Sequence, residues 1–119
     1  MDRAQKYNEF WNSFGIPAYD ESTVPLGSQM PYITYEYADS SFNSEVSLSC
    51  SIWYRSDSWS DITMKSEEIR RAISSGKTLV HDDGLIWIKP GNPFIRRMSD
   101  SDDSIRRIIV NITMEGVNK

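Results

Sequence analysis

The stretch that decides the fold is EVSLSCSIWYR, residues 45–55. Apolar side chains alternate with polar ones along it, which is the period-two pattern of a half-buried β-strand. The apolar positions are Val46, Leu48, Cys50, Ile52 and Tyr54. Residues 32–37 alternate in the same way, and Asp39, Ser40, Ser41, Asn43 and Ser44 lie between the two runs. Because these residues favour turns, we predict an antiparallel hairpin.

Two amphipathic helices are predicted on either side of this hairpin. Asp2 is the expected N-cap of the first, which Gly15 and Pro17 terminate. Its helical face is aromatic and consists of Tyr7, Phe10, Trp11 and Phe14. The second helix is expected to begin at Ser58 with a capping box and to end at Gly76. Its inward stripe consists of Trp59, Ile62, Ser66, Ile69 and Ile73.

The remaining segments predict a loop and a group of short strands. Residues 17–31 contain three Pro and one Gly and are predicted to form an extended loop or arm. Strands are predicted at 79–82, 85–89, 94–98 and 105–114, separated by turns at Asp83-Gly84, 90–93 and 99–103. We therefore predict an α+β fold in a single domain, residues 1–119. A single, mostly antiparallel sheet would carry both helices on one face.

Charge and composition exclude several classes of protein. The net charge of the 119 residues is -4, which does not fit a general nucleic-acid binder. Cys50 is the only cysteine, so we expect a buried, reduced thiol rather than a disulfide. The sequence has no signal-peptide pattern and no apolar run of the ~20 residues that would span a membrane. We expect synthesis in a reducing cytoplasm and no association with a membrane.

No arrangement of residues predicts catalysis. His81 is the only histidine, and it stands beside a predicted hairpin turn where Asp82 and Asp83 are expected for backbone reasons. The acids of the 99–103 turn do not follow the spacing of an EF-hand loop. No glycine-rich phosphate loop is present. We therefore predict no catalytic residue, no metal site and no cofactor, and a protein that is not an enzyme.

Apolar and charged residues on the predicted sheet indicate a contact with another subunit. Trp53 falls on the serine side of its strand, and Ile105 and Ile109 fall opposite the core positions of theirs. Apolar residues scattered singly on a surface are an alternative explanation. Apolar residues on both faces of the predicted sheet instead favour an oligomer or a partner that covers the second face. The Arg pairs 96–97 and 106–107 flank the acidic turn, and they could pair with it within the chain or with a neighbouring subunit. The predicted interface residues are Trp53, Arg96, Arg97, Asp100, Asp102, Asp103, Arg106 and Arg107.

Several segments resemble the tail-terminator, or tail-completion, proteins of long-tailed bacteriophages. Besides the aromatic helix, they are residues 14–19, 31–36, 48–56, 86–89, 93–94 and 106–108, which are distributed over nearly the whole chain. The resemblance implies a structural virion protein that forms a hexameric ring at the head-proximal end of the tail. Such a ring caps the tail tube, stops its polymerisation and provides the surface that joins the head.

The resemblance also implies the partners of the protein. They are further copies of the chain, the tail tube protein and a head-completion or connector protein, whereas DNA only passes through the lumen. An acidic subunit suits that passage, because attraction to phosphate depends on positive charge. Two alternatives of other classes remain open, a head-closure or head-tail connector protein and a small phage-encoded protein-binding module.

Overall fold

The computed structural model of the protein describes residues 1–38 and 44–118. The elements in chain order are α1 (Arg3–Trp11), a 3₁₀ turn (Asn12–Phe14), β1 (Ala18–Asp20), β2 (Tyr32–Tyr35), β3 (Glu45–Arg55), α2 (Ser60–Ile73), β4 (Lys77–His81), β5 (Gly84–Met98) and β6 (Ile105–Asn118). Within the described residues the strands form one sheet in the order β1-β2-β3-β6-β5-β4. Only the β1–β2 pair is parallel there. The predicted α+β class, with a mostly antiparallel sheet and two helices, is confirmed.

Strands β3 and β6 form the centre of the sheet. They pair along the whole of β3, from Glu45 opposite Glu115 to Arg55 opposite Ile105. This register places the apolar positions of the two strands on one face, where Ile52 lies opposite Ile108. Burying one such side chain contributes roughly 1.5–3 kcal/mol. The strand predicted from residues 45–55 is therefore confirmed, and its apolar side faces the core.

Helix α1 is held by its aromatic face. Asp2 caps its first turn in a capping box with Gln5, as the sequence predicts. The Tyr7 ring lies edge-on to Trp11 at 6.1 Å and to Tyr35 at 5.3 Å between ring centroids. The exposed fraction of Tyr7 and of Trp11 is 0%. Since a helix of 9 residues is marginal on its own, its stability comes from this docking.

The sheet curls so that both of its outer strands contact α1. The Asn12 side chain, which follows the helix, accepts a hydrogen bond from the Ala18 amide at 3.0 Å and donates one to the Ala18 carbonyl at 3.2 Å. At the other edge the Asp82 amide donates to the Met1 carbonyl at 3.0 Å. The Asn12 contacts cover backbone groups that the edge strand β1 would otherwise offer to another chain, and the Met1 contact holds the turn that follows β4.

The segment predicted as an arm, residues 17–31, contains the edge strand β1. Its three residues pair with β2, with Tyr19 opposite Thr34. So short a strand has no alternation that the sequence could reveal. Turns follow it, in which Thr23 donates to the Asp20 carbonyl and Ser28 donates to the Pro25 carbonyl.

Helix α2 buries the predicted stripe but begins later than expected. Ile62, Ser66, Ile69 and Ile73 are buried, and Trp59 packs partly against the core. The predicted capping box at Ser58 is wrong. The helix begins at Ser60, its N-cap Trp59 has no side-chain hydrogen bond, and the Ser58 hydroxyl accepts the Ser60 amide at 3.1 Å. Ser58 therefore orders the approach to the helix rather than its first turn.

The predicted turn at residues 90–93 is a bulge within one long strand. β5 continues from Gly84 to Met98, and its register with β6 shifts between Pro90 and Ile95. A Cβ atom on Gly91 would lie 2.9 Å from the Asn111 backbone, so this close approach requires glycine. A strand that passes two prolines this way looks like two strands and a turn in sequence.

The sequence also predicted turns between β4 and β5 and between β2 and β3. The β4–β5 turn consists of Asp82 and Asp83, one residue earlier than predicted, because His81 pairs with Gly84. The antiparallel β2–β3 pairing is confirmed. The predicted turn residues Asp39, Ser40, Ser41 and Asn43 lie outside the described residues.

We expect Trp11→Ala to lower the free energy of unfolding by about 3–5 kcal/mol, because it removes a fully buried aromatic side chain. Trp87→Ala is the matched control and should cost clearly less than Trp11→Ala, since Trp87 is 39% exposed and Trp11 is 0% exposed. Urea unfolding followed by circular dichroism measures both. Equal losses in the two variants would contradict the central role of the α1 docking.

Candidate subunit interface

The sheet face opposite the helices carries a row of aromatic side chains around Trp53. The indole Nε1 donates to the Thr34 hydroxyl at 3.0 Å, and the Arg107 guanidinium lies 4.5 Å from the ring centroid. The Tyr32 ring lies 6.4 Å away. Trp53 therefore lies on the face that the sequence predicted, but its own chain half covers it. Stacking of this kind contributes about 0.5–1 kcal/mol at an exposed site.

This row crosses five neighbouring strands. Tyr19 of β1 packs on Tyr32 of β2 at 5.8 Å, and the row continues through Trp53 and Arg107 to Met98 of β5, which lies opposite Arg107. The result is a row of three rings followed by one guanidinium and one thioether. Such a surface combines apolar area with a charged donor, which is typical of protein interfaces.

Two of the predicted arginines lie on the helix side and contact Trp59. The guanidinium carbons of Arg97 and Arg106 lie 4.7 and 5.4 Å from its ring centroid. Arg106 also donates to the Asp103 carbonyl at 2.7 Å and to the Asp57 carbonyl at 3.0 Å. Arg106 therefore ties the β5–β6 turn to the start of α2, which is a role within the chain.

The acidic turn between β5 and β6 is ordered by its own carboxylates. Asp100 accepts the Asp102 amide at 2.9 Å, and Asp102 accepts the Ser104 amide and hydroxyl at 2.8 and 2.7 Å. The Ser104 hydrogen bonds, with a smaller contribution from Arg55, lower the pKa of Asp102. The ion pair of Asp102 is with Arg55, at 3.3 Å, a residue that the sequence analysis did not select.

The predicted residues gather at one end of the sheet but not on one face. Arg96 is exposed and lies opposite Ile109 on the open face, with Trp53 and Arg107. The other five lie on the helix side or in the turn, namely Arg97, Asp100, Asp102, Asp103 and Arg106. A partner that contacted all eight would have to wrap around this end. Their participation in an interface stays a prediction.

A second exposed apolar group lies at the other end of the open face and was missed. Val80 is 65% exposed and Trp87 is 39% exposed. Leu85 belongs to the same group, because the strand pairing places it opposite Val80 on β4 and Val117 on β6. The ammonium group of Lys89 lies 4.6 Å from the Trp87 ring centroid. The signal was present in the sequence, because Trp87 alternates with the core residues Ile86 and Ile88 just as Trp53 alternates with Ile52.

Cys50, Tyr7 and His81, the side chains considered for nucleophilic or acid–base chemistry, are buried or hydrogen-bonded to the backbone of their own chain. Cys50 is 1% exposed, and burial raises the pKa of its thiol to about 12. Burial likewise raises the pKa of Tyr7, whose hydroxyl donates to the Glu36 carbonyl at 2.9 Å. The Nδ1 atom of His81 accepts the Asp83 amide at 3.2 Å and so stabilises the β4–β5 turn. The described part of the chain contains no cluster of three potential metal ligands.

Comparisons with known proteins identify a similar fold. No protein-family model and no curated protein matches the chain. A solved structure described as the virion of a native gene transfer agent (GTA) particle contains a chain that is similar with a TM-score of 0.63 and 15% sequence identity. The similarity covers 83% of this chain and 77% of that chain. At this identity it shows a common fold.

In the described residues, no helix has the length and apolar character needed to cross a membrane.

We expect the Cys50 thiol to react at least roughly 100-fold more slowly in the folded protein than in the unfolded chain, because only the thiolate is nucleophilic. With a folded pKa of about 12, the thiol stays protonated at mildly alkaline pH. Ellman's reagent measures the rate, and the chain in concentrated guanidinium chloride is the control. Rapid labelling of the folded protein would show that the thiol is accessible and ionised.

Proposed function

We propose that the protein is a structural component of a phage-like virion. The observation that carries this proposal is the fold shared with a chain of the gene transfer agent virion over 83% of the present chain. The sequence resemblance to tail-terminator proteins rests on different evidence, the order and identity of local segments, and points to the same class of particle. A protein of this class works by contacts between subunits rather than by catalysis.

Within that class we propose the tail terminator, at the head-proximal end of the tail. In this role, copies of the chain form a ring, a hexamer by the resemblance, that caps the tail tube and stops its polymerisation. The ring then provides the surface for a head-completion or connector protein. DNA passes through the lumen, and a net charge of -4 per chain limits its attraction to the wall.

The two apolar groups on the open face support several simultaneous contacts. The Trp53 row lies at the end of the sheet near the β5–β6 turn, and the Val80–Trp87 group lies at the end near the β4–β5 turn. Trp53 and Trp87 lie opposite Arg107 and Glu115 of β6, which at roughly 3.3 Å per residue are about 26 Å apart, so one surface can be occupied without blocking the other. A subunit that must contact its neighbours and the tube needs such separate surfaces.

We expect particles assembled without this protein to have abnormally long tails, because nothing stops polymerisation of the tube. Electron microscopy of particles from a phage with the gene deleted measures tail length, and complementation with the wild-type gene is the control. Normal-length tails that fail to join heads would instead assign the protein to head closure or connection. Normal, infectious particles would contradict a structural role in the virion.

We also expect Trp87→Ser to reduce complementation of that deletion by on the order of tenfold, because it removes an exposed aromatic side chain of the kind that dominates protein contacts. The matched control is Trp87→Phe, which keeps an aromatic ring on the surface and should complement. Infectious titre is the readout, and circular dichroism verifies that both variants fold. Full complementation by Trp87→Ser would remove this group from the functional surface.

A further inference from the structure

The two edges of the sheet differ in composition at the end near the β5–β6 turn. Strand β4 pairs with β5 only through residues 84–88, so the outer strand beyond that point is β5 itself. At this end the strand order is therefore β1-β2-β3-β6-β5. With about 4.8 Å between neighbouring strands, the β1 edge and the β5 edge lie roughly 19 Å apart. Among the described residues, no ion pair joins the side chains of the two edges.

The β5 edge is basic. Arg96 and Arg97 are exposed there, and within the described residues neither has a carboxylate partner. Arg70 of α2 adds a third guanidinium, 5.0 Å from the centroid of the Phe94 ring on the same strand. Glu67, which pairs with Arg70 at 3.2 Å, offsets part of this charge, and the acidic 99–103 turn follows directly after the strand. The cations that this edge offers are Arg96 on the open face and Arg97 on the helix side, where it stacks on Trp59.

The β1 edge is acidic. Asp20 accepts hydrogen bonds from the Ser22 amide and hydroxyl at 2.9 and 2.6 Å, which lower its pKa and keep it ionised. Partial burial, and then the negative charges of Glu36 and Asp20, raise the pKa of the neighbouring Glu21. Arg107 is the cation that opposes this effect, but its guanidinium is stacked on Trp53. The charges on this edge therefore repel each other within the chain.

On the β1 edge, side chains and a turn occupy backbone groups that could otherwise pair with another strand. Asn12 occupies the outward amide and carbonyl of Ala18, and the Asp20 carbonyl accepts the Thr23 amide at 2.9 Å. On β5, Pro90 and Pro93 have no N–H to donate, whereas the described sheet places no strand outside residues 95–98. Because β1 has few backbone groups left to pair, a contact between the edges depends on side chains, and opposite charges are the chemistry that both edges present.

We propose that the Arg96–Arg97 edge of one copy binds the Asp20–Glu21 edge of the next copy. Every chain carries one edge of each sign, and like edges repel, so the contact is head-to-tail and repeats from copy to copy. A head-to-tail contact of this kind closes into a ring when its rotation divides a full turn. The inference deepens the proposed function and rests on it, because it identifies the partner of Arg96 and Arg97 in the subunit ring.

Charge reversal tests the contact. Arg96→Glu with Arg97→Glu makes both edges acidic, and we expect at least roughly tenfold weaker self-association, since like charges oppose the encounter. Asp20→Asn with Glu21→Arg removes the negative excess of the β1 edge while keeping an acceptor for Ser22. This pair of substitutions should weaken self-association to a similar extent. The chain that combines all four substitutions has acids on the β5 edge and one new cation on the β1 edge, so it should regain part of the assembly. An equimolar mixture of the two double variants should also assemble.

Native mass spectrometry and sedimentation velocity over a wide concentration range measure these outcomes, with the full chain throughout. Lys77→Glu and Asp83→Lys are the matched controls, because they change charge by the same sign at exposed positions near the other end of the sheet and should assemble as the wild type does. Wild-type assembly that tolerates both double variants, or no recovery in the combined chain, overturns the proposed contact. A wild-type protein that stays monomeric at every concentration overturns it as well.

These results are independent of the test of function. Tail length in particles without the protein decides whether it is a terminator, whatever surface joins the subunits. Charge reversal decides whether these two edges join the subunits, whatever the ring does in the particle. An unaffected ring together with abnormally long tails would reject the contact and retain the function.

Discussion

The docking of the aromatic face of α1 onto the concave side of the sheet holds the rest of the structure in place. A helix of this length gains little from its own hydrogen bonds, so Tyr7, Phe10 and Trp11 supply its stability through burial. The sheet in turn must curl far enough to contact the helix from both outer strands. Residues next to the helix then bind both sides of the sheet, because Asn12 bonds the edge strand β1 and Met1 bonds the turn that follows β4.

This arrangement leaves the protein with one face of the sheet covered by the helices and one open face, and the function proposed for the protein uses the open face. Side chains complete the backbone of the edge strand β1, so extension of the sheet into a neighbouring chain is disfavoured there. The surfaces available for assembly are then the aromatic row around Trp53, the Val80–Trp87 group and the two edges of opposite charge. Such an arrangement suits a subunit that must contact several partners while its sheet does not polymerise.

Part of the candidate site follows from the sequence, and part depends on distant pairings. Alternation along β3 predicts that Trp53 faces away from the core, because side chains of a strand point to opposite faces. It does not predict that Arg107 covers the indole, since this contact requires the β3–β6 register. The charge of residues 99–103 indicates a solvated turn, but the pairing of Asp102 with Arg55 depends on a strand about fifty residues earlier. The edge strand β1 is defined by pairing rather than by pattern.

The sequence by itself determined the class of the fold, the aromatic helix, the stripe of α2 and the inward face of the central strands. These features depend on local periodicity and on the capping of helix α1 by Asp2, so they can be predicted without knowing which distant residues are in contact. Only the tertiary structure decided which strands are outer strands, where β5 bulges around Gly91, and which charges remain without partners in the chain. The physical reason is that strand order, register and ion pairing join residues far apart in the chain, and local patterns of polarity do not specify those partners.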